Sequence, residues 1–515
     1  MVLNPLNHPG AQQIPENDVE KRGELKSADV HVTSGGSDTS PSSIDTQHDV
    51  PPTPRVLKGK LGKWNDRIEG LAGLEARGIT RVLPEERHGG GRKGYGQMFL
   101  LWFSINLVAN NIITAMLGPL IVSRFFMGYW PAKLSAILNV IMQVGWGTIG
   151  CIIAGQLISA VNGEGLTVAV GCIVAALLIG LIAVFGIGLV QAYERCVHNR
   201  LIKKELPRAY KIQIRLHPSS PRHPRPGRLL RKEFRSQCRF PGPSGTATAN
   251  RCSFFALMFS SVIGFSAVSA DFYVYYPTNT SKPLTFFATW SGNWISQTLL
   301  NVIGIGIATG VAVTPGWSDA YGISSGALLL KCYEGLGGFG SFCVVILALG
   351  SVTNNAPCSY AAALTIQTLG RYAKAIPRWF WCVVITIVEL ALSVAGRDHL
   401  FKIFQNFLPI MAYWVNPWLT IIIIEHLVFH KLKGKGFDWT AWEDKARLPI
   451  GAAALFSWLV GWAGAIIGME QVWYQGPVAL KVGNYGGDIG EWLAIAFAGV
   501  VYLPLRWLEL KKSLR

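Results

Sequence analysis

The sequence predicts an all-α polytopic membrane protein, and three observations carry that prediction. Of its 515 residues, 50% are hydrophobic and only 15% charged, a balance outside the usual soluble range. Ten apolar stretches are long enough to cross a bilayer. Two of them, in different halves of the chain, hold Asn and Pro in their middles, and paired interrupted helices mark transporters built from inverted repeats.

Taken in order, residues 1–72 read as a disordered cytoplasmic tail, because Ser, Pro, Gly, Asp and Asn prevail to about Pro54 without periodic apolar positions. Residues 73–97 form a charged pre-helix segment containing LEARGITRVLPEER (Leu74–Arg87). The first apolar run comes only after Gly96, so no cleavable signal peptide is expected. The first span covers Met98–Val122. Its middle holds Asn106, Asn110, Asn111 and Thr114, followed by Gly118-Pro119.

Lys133–Val161 and Leu166–Val190 follow as a hairpin with Glu164 in its turn. Between Val197 and Asn250 stand thirteen Lys or Arg against two Glu, with many prolines, which excludes a span there. Phe254–Tyr276 is the next span, ending in the aromatic run at Asp271 that suits a headgroup boundary. Leu284–Val313, Phe339–Leu369, Trp379–Ala395, Phe401–Phe429, Leu448–Met469 and Ile489–Leu508 complete the ten.

Phe339–Leu369 is the stretch around which the chain is organised. It carries no Asp, Glu, Lys or Arg, yet holds Thr353, Asn354, Asn355 and Pro357. Proline removes a backbone donor and frees a carbonyl one turn earlier, and paired amides need partners that lipid cannot supply. The segment therefore faces protein or a wet cavity. Two readings stay open: an amide knot that staples helices together, or a polar patch that binds a small solute near the midplane.

The formal net charge of +17 needs no polyanion, because the cations sit in tails and loops beside apolar spans, as the positive-inside rule requires. No nucleic-acid partner is expected. Arg371, Lys374, Arg378, Lys431–Lys435, Lys445 and the basic C-terminus mark cytoplasmic flanks; Asp319, Asp398, Glu470 and Asp488 mark outer ones. From Leu284 onward these labels alternate consistently. Upstream they conflict twice, once near Val122–Ser123 and once between Arg195 and Ser253, as though a crossing were missing at each place.

Nine cysteines lack metal-like spacing and read as small packing residues. No metal spacing, nucleophile elbow or phosphate loop is present, so neither an enzyme nor a cofactor is expected. Glu389 is an intramembrane carboxylate and a functional candidate by default. The blander alternative is a paired or protonated packing group.

At this point the chain resembles the fungal purine-cytosine permeases of the nucleobase-cation-symport-1 family. The matching pieces are GITRVLPEER, LWFSINLVANN and MLGPL in the first span, RFFMGYWPAKL (Arg124–Leu134), DFYVYYPTNTSK (Asp271–Lys282), GGFGSFCVVILAL with the NN-x-P core, RYAKAIPRW, LPIGAAAL and PLRWLELKK. The resemblance implies a twelve-helix, five-plus-five inverted-repeat secondary-transporter fold of the APC superfamily type, of which about ten helices are present. The gaps fall where family helices two and five belong. The first corresponds to about forty residues, one span with its loops. A gene-model error would produce both gaps; a real ten-helix variant is the alternative.

On that template residues 98–196 hold an incomplete first repeat, 197–250 a basic non-membrane insert, and 251–430 the second repeat. Residues 431–447 form a cytoplasmic loop, 448–508 two further helices and 509–515 a cytoplasmic tail. The implied activity is nucleobase import by proton symport across the plasma membrane, with both termini cytoplasmic. The alternatives are a pyridoxine (vitamin B6) permease of the same family or a non-transporting remnant. A planar base would be stacked by aromatic faces and read along its edge by amides. Carried over by position, the stacking candidates are Trp146 and Phe265, and the edge-reading candidates Asn354 and Asn355 beside Pro357. Asn110, Asn111 and Thr114 contact the substrate or support the turn at the first-helix break. Two departures from the family pattern, Gly150 and Cys358 in places often held by polar residues, remove edge-reading groups.

Overall fold

The computed structural model describes residues 67–68, 92–106, 126–163, 165–186, 244–263, 280–311, 314–430 and 444–513. A helix overlaps each of the ten expected spans, with residues 107–122 of the first and 264–276 of the fourth lying outside the described residues: α1 Arg92–Asn106, α2 Pro131–Val161, α3 Val168–Phe185, α4 Ser244–Ile263 and α5 Lys282–Val311, then α6 Gly338–Thr368, α7 Arg378–Gly396, α8 Leu400–Ile424, α9 Ala452–Gly468 and α10 Gly490–Ser513. Six spans among the described residues are long and apolar enough to cross a bilayer: α2, α3, α6, α7, Asn406–His430 and Gly490–Lys512. Short helices Trp317–Ile323 and Ser325–Cys332 join α5 to α6, and a two-residue antiparallel ladder, Glu470–Gln471 with Tyr474–Gln475, joins α9 to α10.

Local chemistry sets the boundaries. Pro131 opens α2 with its fixed φ at a position needing no amide donor. Thr167 caps α3, its hydroxyl accepting from the Val170 N–H at 3.4 Å. The far end of α3 is capped from elsewhere in the chain: Arg378, 1% exposed, donates to the carbonyls of Ala183 at 2.8 Å and Val184 at 3.0 Å while stacking on Tyr360. Before α9, Gly451 has φ +78° and lies so close to the Met127 carbonyl that any β-carbon would overlap it.

Two boundaries differ from the sequence expectation. Helix α4 begins at Ser244, inside the stretch assigned to the basic insert, because its first turns dock on the loop before α10. Ala249 packs on Gly487, and the Ser253 hydroxyl accepts from the Asp488 N–H at 2.9 Å. Helix α6 runs unbroken through Pro357, where an interruption was expected. Side chains around the proline turn back onto the helix: Thr353 donates to the Leu349 carbonyl at 2.9 Å and Asn355 to the Ser351 carbonyl at 2.6 Å. Burial on all sides accompanies this unbroken course.

Contacts also fix which helix ends share a face of the bundle. On one face lie Tyr95 with Ser281, Lys133 with Gly370, Ala183 with Arg378, and Met127 with Gly451. On the other lie Gln156 with Arg397 and Gly326, and Ser253 with Asp488. Helix α1 thus begins on the face where residues 126–133 lie. Helix α3 ends on that face, whereas α4 begins on the opposite one.

The C-terminal helices form a second packing centre. Trp414, Trp418, Trp458 and Trp462 pack between α8 and α9, with the Trp458 indole donating to the Trp414 carbonyl at 2.9 Å. Helix α8 continues as a π-helical turn, Glu425–His430. There Glu425, 1% exposed, receives Arg506 at 2.7 Å, Tyr502 at 2.7 Å and His430 at 3.4 Å, while Arg506 also reaches Glu509 at 2.9 Å. Removing one partner of a buried pair strands the other charge, at a cost of about 3–5 kcal/mol. Glu425→Ala is therefore expected to lower the melting temperature of the detergent-solubilised protein, and Glu425→Ala with Arg506→Met to regain part of the loss. An unchanged melting temperature for the single variant contradicts the assignment.

Candidate functional site

The polar centre of α6 lies entirely inside protein: every residue from Ser351 to Ala363 is buried. Its neighbours are α2, α3 and α7. Helix α2 runs antiparallel to it, as three contacts along the seam establish. Asn139 donates to Thr365 at 3.1 Å near one end, Gly150 meets Asn355 in the middle, and Leu157 packs with Val344 and Ala348 near the other.

At the centre of the seam α2 reads Gly145-Trp-Gly-Thr-Ile-Gly150. Its three glycines each receive a side chain from a different helix. A β-carbon at Gly145 would overlap the Phe407 ring, at Gly147 the Glu389 carboxyl, and at Gly150 the Asn355 amide. Absence of side chains lets helix backbones approach, the usual route to tight packing where lipid supplies no hydrophobic drive. Gly150 therefore does more than lack an edge-reading group: it makes the space that Asn355 occupies.

Four of the expected site residues come together here. Trp146 is 3% exposed and meets Phe407 of α8 edge to face, with ring centroids 5.2 Å apart. Gly150 and the Asn355 amide lie one turn along α2 from that indole. Asn354, 3% exposed, and Pro357 complete the same buried section of α6. Among the described residues the Trp146 indole N–H and the Asn355 side-chain oxygen have no hydrogen-bond partner. An unpartnered buried polar atom costs about 1–3 kcal/mol; here the indole N–H is left as a donor and the amide oxygen as an acceptor. Asn110, Asn111, Thr114 and Phe265 lie outside the described residues.

Three participants were not expected from the sequence. Phe407 pairs with Trp146 across 261 positions of chain, a separation that spacing cannot bridge. Ser359 stands one turn beyond Asn355 on α6 and donates to both carboxyl oxygens of Glu389, at 3.0 and 2.9 Å. Gly147 shares that contact. The one available signal was the glycine spacing in GWGTIG, which marks a close approach without naming what approaches. Among the described residues no three His, Cys, Asp or Glu side chains converge as a metal site.

Comparison with known proteins places the chain. The family model described as permeases for cytosine/purines, uracil, thiamine and allantoin matches residues 236–490. Purine-cytosine permease fcyB of Emericella nidulans is 31% identical over 86% of this chain and 91% of its own length. The vitamin B6 transporter TPN1 of Saccharomyces cerevisiae is 27% identical over 89% of this chain and 92% of its own. Among solved structures, the nucleobase-cation-symport-1 transporter Mhp1, in a closed conformation with bromovinylhydantoin bound, matches with a TM-score of 0.55 at 12% identity, covering 85% of this chain and 96% of that one. The fold is thus that of an APC-type inverted-repeat transporter, and the chain belongs to the nucleobase-cation-symport-1 family of permeases.

Proposed function

We propose that this protein is a secondary active transporter that imports a nucleobase, cytosine or a purine, across the plasma membrane together with a proton, with both termini cytoplasmic. The observation that carries the reading is the seam at Trp146, Asn354, Asn355 and Pro357, in a chain 31% identical to a purine-cytosine permease. An indole face stacks a flat heterocycle, and an amide offers both donor and acceptor to its edge. Asn110, Asn111 and Thr114 of the first span and Phe265 belong to the same proposed site.

A second reading, import of vitamin B6, is favoured by the similarity to TPN1, which spans 89% of this chain. Pyridoxine is also a flat, polar-edged ring, so the same seam suits it. Uptake of labelled cytosine, adenine, hypoxanthine and pyridoxine by yeast lacking its own permeases separates the two readings. We expect accumulation of one class, abolished by a protonophore and by Asn355→Ala. No accumulation of any of the four contradicts both.

We also infer that this chain lacks family helices two and five. Supporting the inference, α1 starts on the face where residues 126–133 lie, and α3 ends on the face opposite the one where α4 begins, the orientation the family order would give with both helices restored. The alignment to TPN1 likewise spans 549 positions while using 89% of this chain's 515 residues, so it sets positions of the yeast protein against gaps in this chain. Sequencing the transcript is expected to recover both helices. A transcript that encodes this chain as it stands, with no uptake, favours the non-transporting remnant.

Close approach at Gly150 generates a sharper expectation. Gly150→Ala forces the Asn355 amide to move, and is expected to weaken substrate binding about tenfold or more, the equivalent of 1.4 kcal/mol. Competition for uptake by unlabelled substrate measures it; unchanged affinity means that the seam does not hold the substrate.

A further inference from the structure

We propose that Glu389 is a proton-binding site, loaded and emptied once per transport cycle and linked to the Asn355 seam through Ser359. The proposal rests on the proton-symport reading above and adds to it the residue that carries the proton.

Glu389 lies in the middle of α7 and is 0% exposed. Its carboxyl sits where α2, α6 and α7 meet, against the bare backbone of Gly147 on one side and the Ser359 hydroxyl on the other. The groups that face it from the packed helices are few. From α2 comes the thiol of Cys151, and from α6 the thiol of Cys358. Helix α3 contributes no charged residue along its whole length.

The two cations at the ends of α7, Arg378 and Arg397, are engaged elsewhere. Arg378 is held by the Ala183 and Val184 carbonyls and the Tyr360 ring; Arg397 donates to the Val394 carbonyl at 2.6 Å and lies 3.5 Å from Asp398. Among the described residues, then, Glu389 has one hydroxyl donor and no cation.

A charge buried with so little compensation is costly, and intramembrane acids of this kind mark ion pathways. A proton removes the charge. It also changes the hydrogen bond. Facing an ionised carboxylate, the Ser359 hydroxyl must donate; facing the acid, it can accept the carboxyl O–H and turn its own proton to the α6 backbone, where serine commonly bonds the carbonyl one turn earlier. That carbonyl belongs to Asn355. The proton on Glu389 and the backbone of Asn355, whose side chain fills the space at Gly150, are therefore coupled through a single side chain. The transfer balances simply: one proton bound from the outer solution takes the side chain from −1 to neutral, and the same proton released inside restores it.

The test compares wild type with Glu389→Gln in the full chain, reconstituted in vesicles. The probes are labelled cytosine, adenine and pyridoxine. Two readouts are taken: accumulation against an imposed pH gradient, and exchange of labelled for unlabelled substrate without a gradient. One-proton symport accumulates substrate about tenfold per pH unit. Wild type is expected to do so, and Glu389→Gln to exchange substrate without accumulating it and to lose the pH dependence of uptake. Should Glu389→Gln keep the wild-type accumulation and pH profile, the proposal is overturned. If that variant does not fold, Ser359→Ala decides: a shifted pH midpoint of uptake is expected, and an unmoved one overturns the proposal. Wild type that transports but ignores the pH gradient removes the symport reading itself, a result distinct from failure at Glu389 alone.

Discussion

Polar atoms in the middle of α6 cannot be left to lipid, and that constraint arranges the rest of the bundle. Thirteen consecutive residues, Ser351 to Ala363, are closed off on every side. Some of their polar groups bond back to their own helix and some reach Glu389. A helix so enclosed needs a neighbour without bulk: on α2, Gly150 faces α6, while Gly145 and Gly147 face α8 and α7. The same three gaps admit an aromatic ring, a carboxyl and an amide from three other helices. The tightest packing in the seam and its densest chemistry are therefore one feature. A small-residue interface is the means by which membrane helices approach, and here it also gathers the groups a polar heterocycle would need.

Much of this was legible before any coordinates. Apolar length located a helix at each expected span, six of them among the described residues long and apolar enough to cross a bilayer, and the charged flanks gave the relative direction of the helices that the contacts reproduce, from Lys133 beside Gly370 to Gln156 beside Arg397. The uncharged run with Asn354, Asn355 and Pro357 announced a buried polar centre for a general reason: no lipid-facing helix tolerates it.

What the sequence hid has equally plain causes. A proline in a helix normally interrupts it, but the local rule knows nothing of side chains that bond to carbonyls one turn back or of packing on every side, so the unbroken course of α6 was unreadable. Glycine signals proximity without identifying the neighbour, so Gly150 read as a missing polar group until Asn355 was found filling it. Arg378 had the sequence context of an exposed loop cation, yet it caps α3 from within the bundle. Likewise the partners Glu425 and Arg506 stand 81 positions apart, and only the parallel course of α8 and α10 brings them together.

The central claim is that Trp146 of α2 and Asn355 of α6 act on one bound molecule. A double-mutant cycle on binding measures it most directly, with Trp146→Phe, Asn355→Ser and the pair compared for the affinity of whichever of cytosine, adenine or pyridoxine the protein takes up. Residues sharing one ligand are expected to show coupling of about 0.5 kcal/mol or more. Losses that add to within about 0.3 kcal/mol would mean that the two side chains serve separate purposes, and would contradict the account.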